Sequence, residues 1–338
     1  MFKDTKRDIS NSIQKLHKIS IAPMMDCTDK HFRMIMRKIS KKALLYTEMI
    51  VVQSLIYSNK KERFLNFNVE EHPLSIQFGG DNPSHLREAA KIAEDWGYDE
   101  INFNVGCPSS KVSSGNFGAS LMNSPATVAR CIESLKNNCN LPVTIKHRIG
   151  VDDNDSFASL NNFVKQISFA GAERFTIHAR KAYLKGLNPK ENRNIPPLRY
   201  DIVEKLKNEN PSLNIEINGG FTSIDQCLNG LKLFDGIMIG RSAYKHPLKW
   251  IEIDNRIYGE DSSIKNPSEV IFSLIPYIED HLANKGKSWD ICKHLINIVQ
   301  NIPGAKIWRN KVSNKSINGN LDINELILFA NELKEKGY

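Results

Sequence analysis

The stretch SIAPMMD, residues 20–26, decides the fold. It begins as a short apolar strand. In an open dinucleotide-binding sheet the turn after the first strand carries Gly-x-Gly-x-x-Gly, whereas here it holds Pro23, Met24, Met25 and Asp26 and no glycine. Working outward, the same beat of a β-rich segment followed by a helical one recurs. Further strands are expected at ALLYTEMI (43–50), PLSIQFGG (73–80), EINFNVGCP (100–108), PVTIKHRIG (142–150), ERFTIHARK (173–181), NIEINGG (214–220) and GIMIGR (236–241). Between them, Phe32, Ile35, Met36 and Ile39 form an apolar stripe at i, i+3, i+4 and i+7, with Arg33 and Arg37 off it. Ser84 is the expected cap of a helix that runs to Gly97, and residues 158–171 and 200–208 also read as helices. Eight strands alternating with helices predict an α/β fold of the (β/α)8 TIM barrel type rather than a doubly wound sheet.

Past residue 250 the beat changes. Residues 267–284, 288–301 and 322–336 carry amphipathic helical patterns with no strands between them. The expected division is an N-terminal extension (1–18), a catalytic barrel (19–250) and a C-terminal helical domain (251–338).

Composition sets the outer limits. With 338 residues, 41% hydrophobic and 25% charged, the chain reads as a globular protein with a sizeable core. No apolar run approaches the roughly 18 residues of a membrane span. The first twenty residues lack the apolar core of a secretion signal, and Asp4 and Asp8 argue against a transit peptide, so a cytoplasmic location is expected. The six cysteines show neither a CxxC pair nor metal-ligand spacing, so free thiols and no metal are expected. The net charge of +8 hints at an anionic partner, but Lys, Asn and Ile are abundant throughout, and the placement of charge says more than its sum.

Each expected strand turns polar at its C-terminal end. Pro23 and Met24, Glu48, Gln77, Asn104 and Cys107, Lys146 and Arg148, His178 and Arg180, Asn218 to Gly220, and Gly240 with Arg241 all fall there. Barrel enzymes build their sites at that face, so these residues should converge on one mouth. The loops INGGFTS (217–223) and MIGRSAYKHP (238–247) suit a phosphate, through close backbone approach at Gly219, Gly220 and Gly240 and a guanidinium fork at Arg241. Lys146 has two readings, a Schiff-base nucleophile or a retained charge facing an anion; Arg148 and His178 nearby favour the second. Gln77 and Asn104 are neutral groups able to read the edge of a heterocycle. Together these features describe a flavin site.

APMMDCTDKHFR (22–33), SIQFGG (75–80), NFNVGCPSSKV (102–112), KHRIG (146–150), HARKAYLKG (178–186), NGG (218–220) and MIGRSAYKHP (238–247) together resemble the tRNA-dihydrouridine synthases. The stretch HARKAYLKGLNPKENRNIPPLRY (178–200) is similar to the A-type subfamily, and the resemblance extends into PGAKIWRNKVS (303–313). It implies an FMN enzyme that uses NADPH to reduce the C5=C6 bond of a D-loop uridine in tRNA, at positions 20 and 20a by subfamily analogy. Ala22, Pro23 and Met24 would back the flavin, Gln77, Lys146 and His178 would contact its ring and ribityl chain, and Asn218, Gly219, Gly220, Gly240 and Arg241 would hold its phosphate end. Hydride would pass from the flavin N5 to C6, and Cys107 would give the proton to C5. Chemistry asks for such an acid independently: a thiol with an unperturbed pKa of about 8.5 is protonated at neutral pH and needs no activating base.

The target base must be extruded from folded tRNA into the mouth. Asn104 is expected to read the uracil, and the loop SSKVSSGNFGAS (109–120) to cover it. Arg180, Lys181, Lys185 and Arg193, in and beyond the loop after the sixth strand, are expected to face RNA. Residues 285–315 carry seven lysines and arginines against Asp290 alone, with Lys306 and Arg309 the leading candidates for phosphate contact. A monomer is expected. Three other readings share parts of this pattern: a small-molecule FMN reductase, a catalytically silent RNA-binding barrel, and a Schiff-base aldolase using Lys146.

Overall fold

The computed structural model describes residues 17–109, 117–261, 264, 266–300, 302–317 and 322–338. Eight parallel strands, β1 (Ile19–Ile21), β2 (Leu44–Val51), β3 (Leu74–Gly79), β4 (Glu100–Val105), β5 (Val143–Arg148), β6 (Phe175–His178), β7 (Ile215–Asn218) and β8 (Gly236–Ile239), close into a barrel in sequence order, with β1 pairing β8. The expected strands are all present, and all but the second, which ends one residue later at Val51, are shorter at their C-terminal ends. The first stops at Ile21, because Pro23 cannot donate to a ladder and Met24 O instead accepts from the amides of Cys27 and Thr28 in a turn.

The alternation within each strand sorts side chains to two faces. Ile101, Phe103 and Val105 of β4 point out to the helices and join the main core, as do Phe175 and Ile177 of β6. Their partners Glu100, Asn102 and Asn104 point into the lumen, where the apolar content is a small separate cluster of Ala22, Leu44, Tyr46 and Met238. Each outward Phe or Ile, fully buried, contributes roughly 1.5–3 kcal/mol. The core therefore lies between barrel and helices, and the lumen is left for polar chemistry.

Helices Lys30–Ile39, Pro83–Asp95, Pro125–Lys136, Phe157–Phe169 and Tyr200–Glu209 lie in the connections between strands. The cap of the second is Asn82, not Ser84: its side chain accepts from the amides of Ser84 and His85, and Pro83 takes the first helical position, where its missing N–H is harmless. Gly97 follows that helix at φ +84°, as a C′ glycine should.

The C-terminal helices are Pro267–Ala283, Ser288–Leu295, Ala305–Ile317 and Ile323–Glu335. The second is shorter than its pattern, and the third replaces what the sequence presents only as a basic stretch. Trp308 of the third helix stacks on Phe329 of the fourth, with ring centroids 4.2 Å apart. The first two pack on Lys30–Ile39. That seam is polar: Asp29 caps the barrel helix while accepting from His294 Nε2 (2.9 Å) and Lys293 Nζ (2.7 Å). Burial opposes its ionisation, but those hydrogen bonds win and hold the Asp29 carboxyl well below the usual range. Residues 1–16 of the N-terminal extension and 110–116 of the loop after β4 lie outside the described residues.

Candidate active site

Parallel register brings the expected residues to one end of the barrel. Asn104 pairs with Lys146, Arg148 with His178, and His178 with Asn218, so neighbouring strands deliver their last inward side chains at matching heights. Between β2 and β3 the register shifts after Tyr46, and Glu48 in the shifted segment accepts from the Cys27 amide at 3.1 Å. Burial, with Asp29 and Asp26 adding, raises the Glu48 pKa.

Below the mouth a hydrogen-bonded chain runs through the lumen. Thr144 Oγ1 donates to Glu100 (2.8 Å), Asn102 Nδ2 to Thr144 (2.9 Å), Gln77 Nε2 to Asn102 (2.7 Å) and Asn104 Nδ2 to Gln77 (2.8 Å). At the top, Asn104 Oδ1 accepts the amides of Gly106 and Cys107, both at 3.1 Å. Gln77 and Asn104 are thus engaged inside the chain, and Asn104 fixes the turn that carries Cys107. The Cys107 side chain is half-buried, and its carbonyl accepts from the Ala119 amide at 2.9 Å, closing the loop behind it.

Arg148 is the residue that sequence reasoning undervalued. Its buried guanidinium donates to the carbonyls of Gly106 (2.9 Å), Lys181 (3.0 Å) and Asn192 (3.1 Å), tying the Cys107 turn to the loop after β6. Asn192, fully buried, organises that loop: it donates to Tyr183 O and Leu187 O and accepts from Tyr183 N. Its signal lay in the stretch 178–200 that is similar to the A-type subfamily, where Asn192 had no assigned task.

The mouth is cationic. Among the described residues no ion pair joins Lys146, Arg148, Arg180, Arg193 or Arg241 to a carboxylate. Arg180 donates to Pro196 O, and Arg241 to Asn194 Oδ1 (2.6 Å) and Arg193 O (3.1 Å). Burial, with the Arg148 charge beside it, lowers the Lys146 pKa to about 8. Burial and the charges of Arg148, Lys146, Arg180 and Arg241 push His178 well below its ordinary value, so it is neutral. Its Nδ1 is buried with no partner among the described residues. An orphaned buried nitrogen among uncompensated cations fits an absent anionic, hydrogen-bonding group.

The glycine loop fits the same group. Gly219 and Gly220 adopt φ +116° and +83°, and a Cβ on Gly220 would meet Tyr200 Oη at 2.6 Å and Leu198 Cδ1 at 2.7 Å. Asn218 Nδ2 donates to Met238 O (2.8 Å), setting the spacing of β7 and β8. Ala22 lies against Gly240, 3.8 Å from where a Cβ there would stand, and the turn at Pro23 and Met24 continues from it.

The RNA-facing candidates divide. Lys185, Arg193 and Lys306 are exposed. Lys181 is held by Asp155 (2.8 Å) and by Asp152 O (3.2 Å). Arg309, one turn on from Lys306 in the helix Ala305–Ile317, donates through Nε to Ala305 O (3.3 Å).

Residues 20–333 match the sequence profile of the family described as Dihydrouridine synthase (Dus). The tRNA-dihydrouridine(20/20a) synthase of Synechocystis sp. is 46% identical over 89% of this chain and 90% of its own length. The enzyme of the same name from Shewanella oneidensis is 45% identical over 91% of each. Among solved structures, histamine dehydrogenase from Rhizobium sp. 4-9 shares the fold at TM-score 0.54 and 15% identity, over 70% of this chain and 45% of that one. Morphinone reductase does so at TM-score 0.50 and 12% identity, over 75% and 90%. With a closed eight-stranded barrel and a profile match across nearly its whole length, the chain belongs to the dihydrouridine synthase family.

Proposed function

We propose that this protein is a tRNA-dihydrouridine(20/20a) synthase, a flavin-dependent oxidoreductase that saturates the C5=C6 bond of D-loop uridines. The carrying observation is the mouth itself: cations and a His178 Nδ1 that have no acidic or hydrogen-bonding partner, respectively, among the described residues, and a positive-φ glycine loop, surround the turn that presents Cys107. When bound and reduced by NADPH, FMN would supply the hydride chemistry needed at C6 of the uracil. Gly219, Gly220, Gly240 and Arg241 would hold its phosphate end, Asn218 keeps their strands in place, and Ala22, Pro23 and Met24 would form the wall behind the ring. Lys146 and His178 would contact ring and ribityl chain, the lysine placing a positive charge beside them. Gln77 closes the floor beneath them and orients Asn104.

Cys107 holds the proton for C5. Asn104 and Arg148 fix its turn from two sides, which keeps the thiol in one place relative to a base entering from solvent. Asn104, with its carbonyl committed to the turn, has Nδ2 facing Gln77 and a second N–H to offer the base. The barrel (19–250) acts as the catalytic domain and the helices from 251 onward as the tRNA-binding one. Arg180, Lys181, Lys185, Arg193, Lys306 and Arg309 meet phosphates, and the protein acts as a monomer. Six free cysteines and a tRNA substrate suit the cytoplasm.

The test is Cys107→Ala. The variant should bind FMN and oxidise NADPH at the wild-type rate while dihydrouridine formation on tRNA falls by roughly 100- to 10,000-fold, the contribution of a placed general acid. Full turnover by the variant, read by mass spectrometry of digested tRNA, would remove Cys107 from the mechanism. Reduction of free uridine or orotate without tRNA would instead favour a small-molecule reductase.

A further inference from the structure

The seam between the barrel and the C-terminal helices contains a second cluster that the reaction does not use. His31 of helix Lys30–Ile39, His281 of helix Pro267–Ala283 and Asp290 of helix Ser288–Leu295 each offer one ligand atom, and these atoms lie within 4.8 Å of one another. From this geometry we propose a zinc-class divalent metal site, with His31, His281 and Asp290 as ligands and water completing a tetrahedron.

Four observations carry it. First, the donor set is right: two imidazoles and a carboxylate are the mixed N/O ligands that zinc accepts, and they arrive from three separate helices. Second, His31 already has the support that a ligating histidine needs. It is buried, and its Nδ1 meets Tyr277 Oη at 2.8 Å; when the ring donates there, the lone pair falls on Nε2. Third, the His281 ring is clamped: a Cβ on Gly286 would lie 2.2 Å from its Cε1 and Nε2, so only glycine lets the turn between the two helices close over it. The ring stands edge-on to His31 at 4.6 Å between centroids, with Nε2 3.2 Å from Asp290 Oδ2. Fourth, the site opens on a cleft of about 720 Å³ that His31 and Asp290 help to line, which gives an ion a way in and room for water.

A tetrahedral zinc holds its donors roughly 3.3 Å apart. The His281–Asp290 pair is at that spacing, and small side-chain rotations close the rest. Such an ion would staple the barrel helix to both C-terminal helices beside the Asp29–His294 contact, fixing the angle at which the C-terminal helices stand to the mouth. The absence of CxxC spacing does not bear on it, because no cysteine takes part.

The experiment uses the full chain, stripped with chelator and titrated with Zn²⁺ against a chromophoric indicator, with thermal unfolding recorded in parallel. Expected are one tight equivalent per chain and a rise in unfolding temperature on loading. Asp290→Asn and His281→Gln should each weaken binding at least tenfold, Tyr277→Phe by roughly 10- to 100-fold through loss of the outer hydrogen bond, and His85→Ala, remote from the cluster, not at all. Should His281→Gln fail to fold, half-exposed Asp290 and the conservative Tyr277→Phe decide. No saturable binding in the wild type, or undiminished binding in Asp290→Asn and Tyr277→Phe, overturns the site; the latter result would assign the metal to free thiols.

Discussion

The two ends of the barrel lumen handle charge in opposite ways. At the floor, Arg174 is fully buried and compensated: it donates to Glu100 at 2.6 and 2.8 Å and to Tyr46 Oη at 2.7 Å, with Glu216 4.0 Å away. Glu216 in turn accepts from Ser20 (2.6 Å) and Thr176 (2.5 Å). At the mouth, Lys146, Arg148, Arg180 and Arg241 have no carboxylate partner among the described residues, and those with partners donate to carbonyl or amide oxygens. Burying a charge is tolerable only with a partner. The floor supplies partners from its own sequence and is structural, whereas the mouth leaves the role open for a ligand.

Substitutions at each end should separate the two roles. The largest stability effect is expected at the floor, where Arg174→Met leaves Glu100 buried without its cation and should cost about 3–5 kcal/mol in denaturant unfolding. At the mouth the sign reverses. Lys146→Met should leave the apoprotein at least as stable as wild type, because it removes a charge that burial disfavours, yet weaken FMN binding by roughly 10- to 100-fold through the lost charged contact. A destabilised apoprotein would mean that Lys146 has an internal partner, and the contrast between the two ends would fail.

A subtler effect is pH dependence. In the free protein Lys146 loses its proton near pH 8, below the ordinary lysine value, so the unfolded chain binds more protons between about 8 and 10.4 and apoprotein stability should rise across that window. FMN binding should move the other way, weakening by up to tenfold per pH unit above about 8 as the cation is lost. Lys146→Met should abolish both slopes, read by fluorescence titration and unfolding at each pH. Smallest of all, Lys306→Gln with Arg309→Gln should leave NADPH oxidation intact while lowering tRNA affinity and reducing its salt slope by roughly one unit per cation.

Much of this was legible in the primary structure because barrel strands are short and repetitive. The β/α beat and the polar strand ends located the mouth, and Gly219 and Gly220 marked the turn that needs positive φ. What escaped was governed by long-range contact. Nothing local shows that Asn104 braces the Cys107 turn; only the loop amides that it accepts do. Arg148 looked like one more mouth cation until its three carbonyl partners were seen. The helix Ala305–Ile317 has too even a spread of Lys, Arg and Asn for periodicity to reveal, and it is held by neighbours such as Phe329. The cluster at His31 was invisible because its members are some 250 residues apart in the chain (His31 to His281 and Asp290).

The lumen chain from Glu100 to the Cys107 turn has a single polarity. Every link donates downward, from loop amide to Asn104, Gln77, Asn102, Thr144 and finally the carboxylate. With an obligate acceptor at its foot, no amide in the series can flip without breaking two neighbours. Such a thread hands geometry upward but cannot relay protons, since none of its carboxamides titrates near neutrality. If Cys107 is the acid proposed above, its proton is therefore not replaced through this thread, and the solvent side of the mouth is the open route. Isotope exchange into the thiol should keep pace with release of modified tRNA.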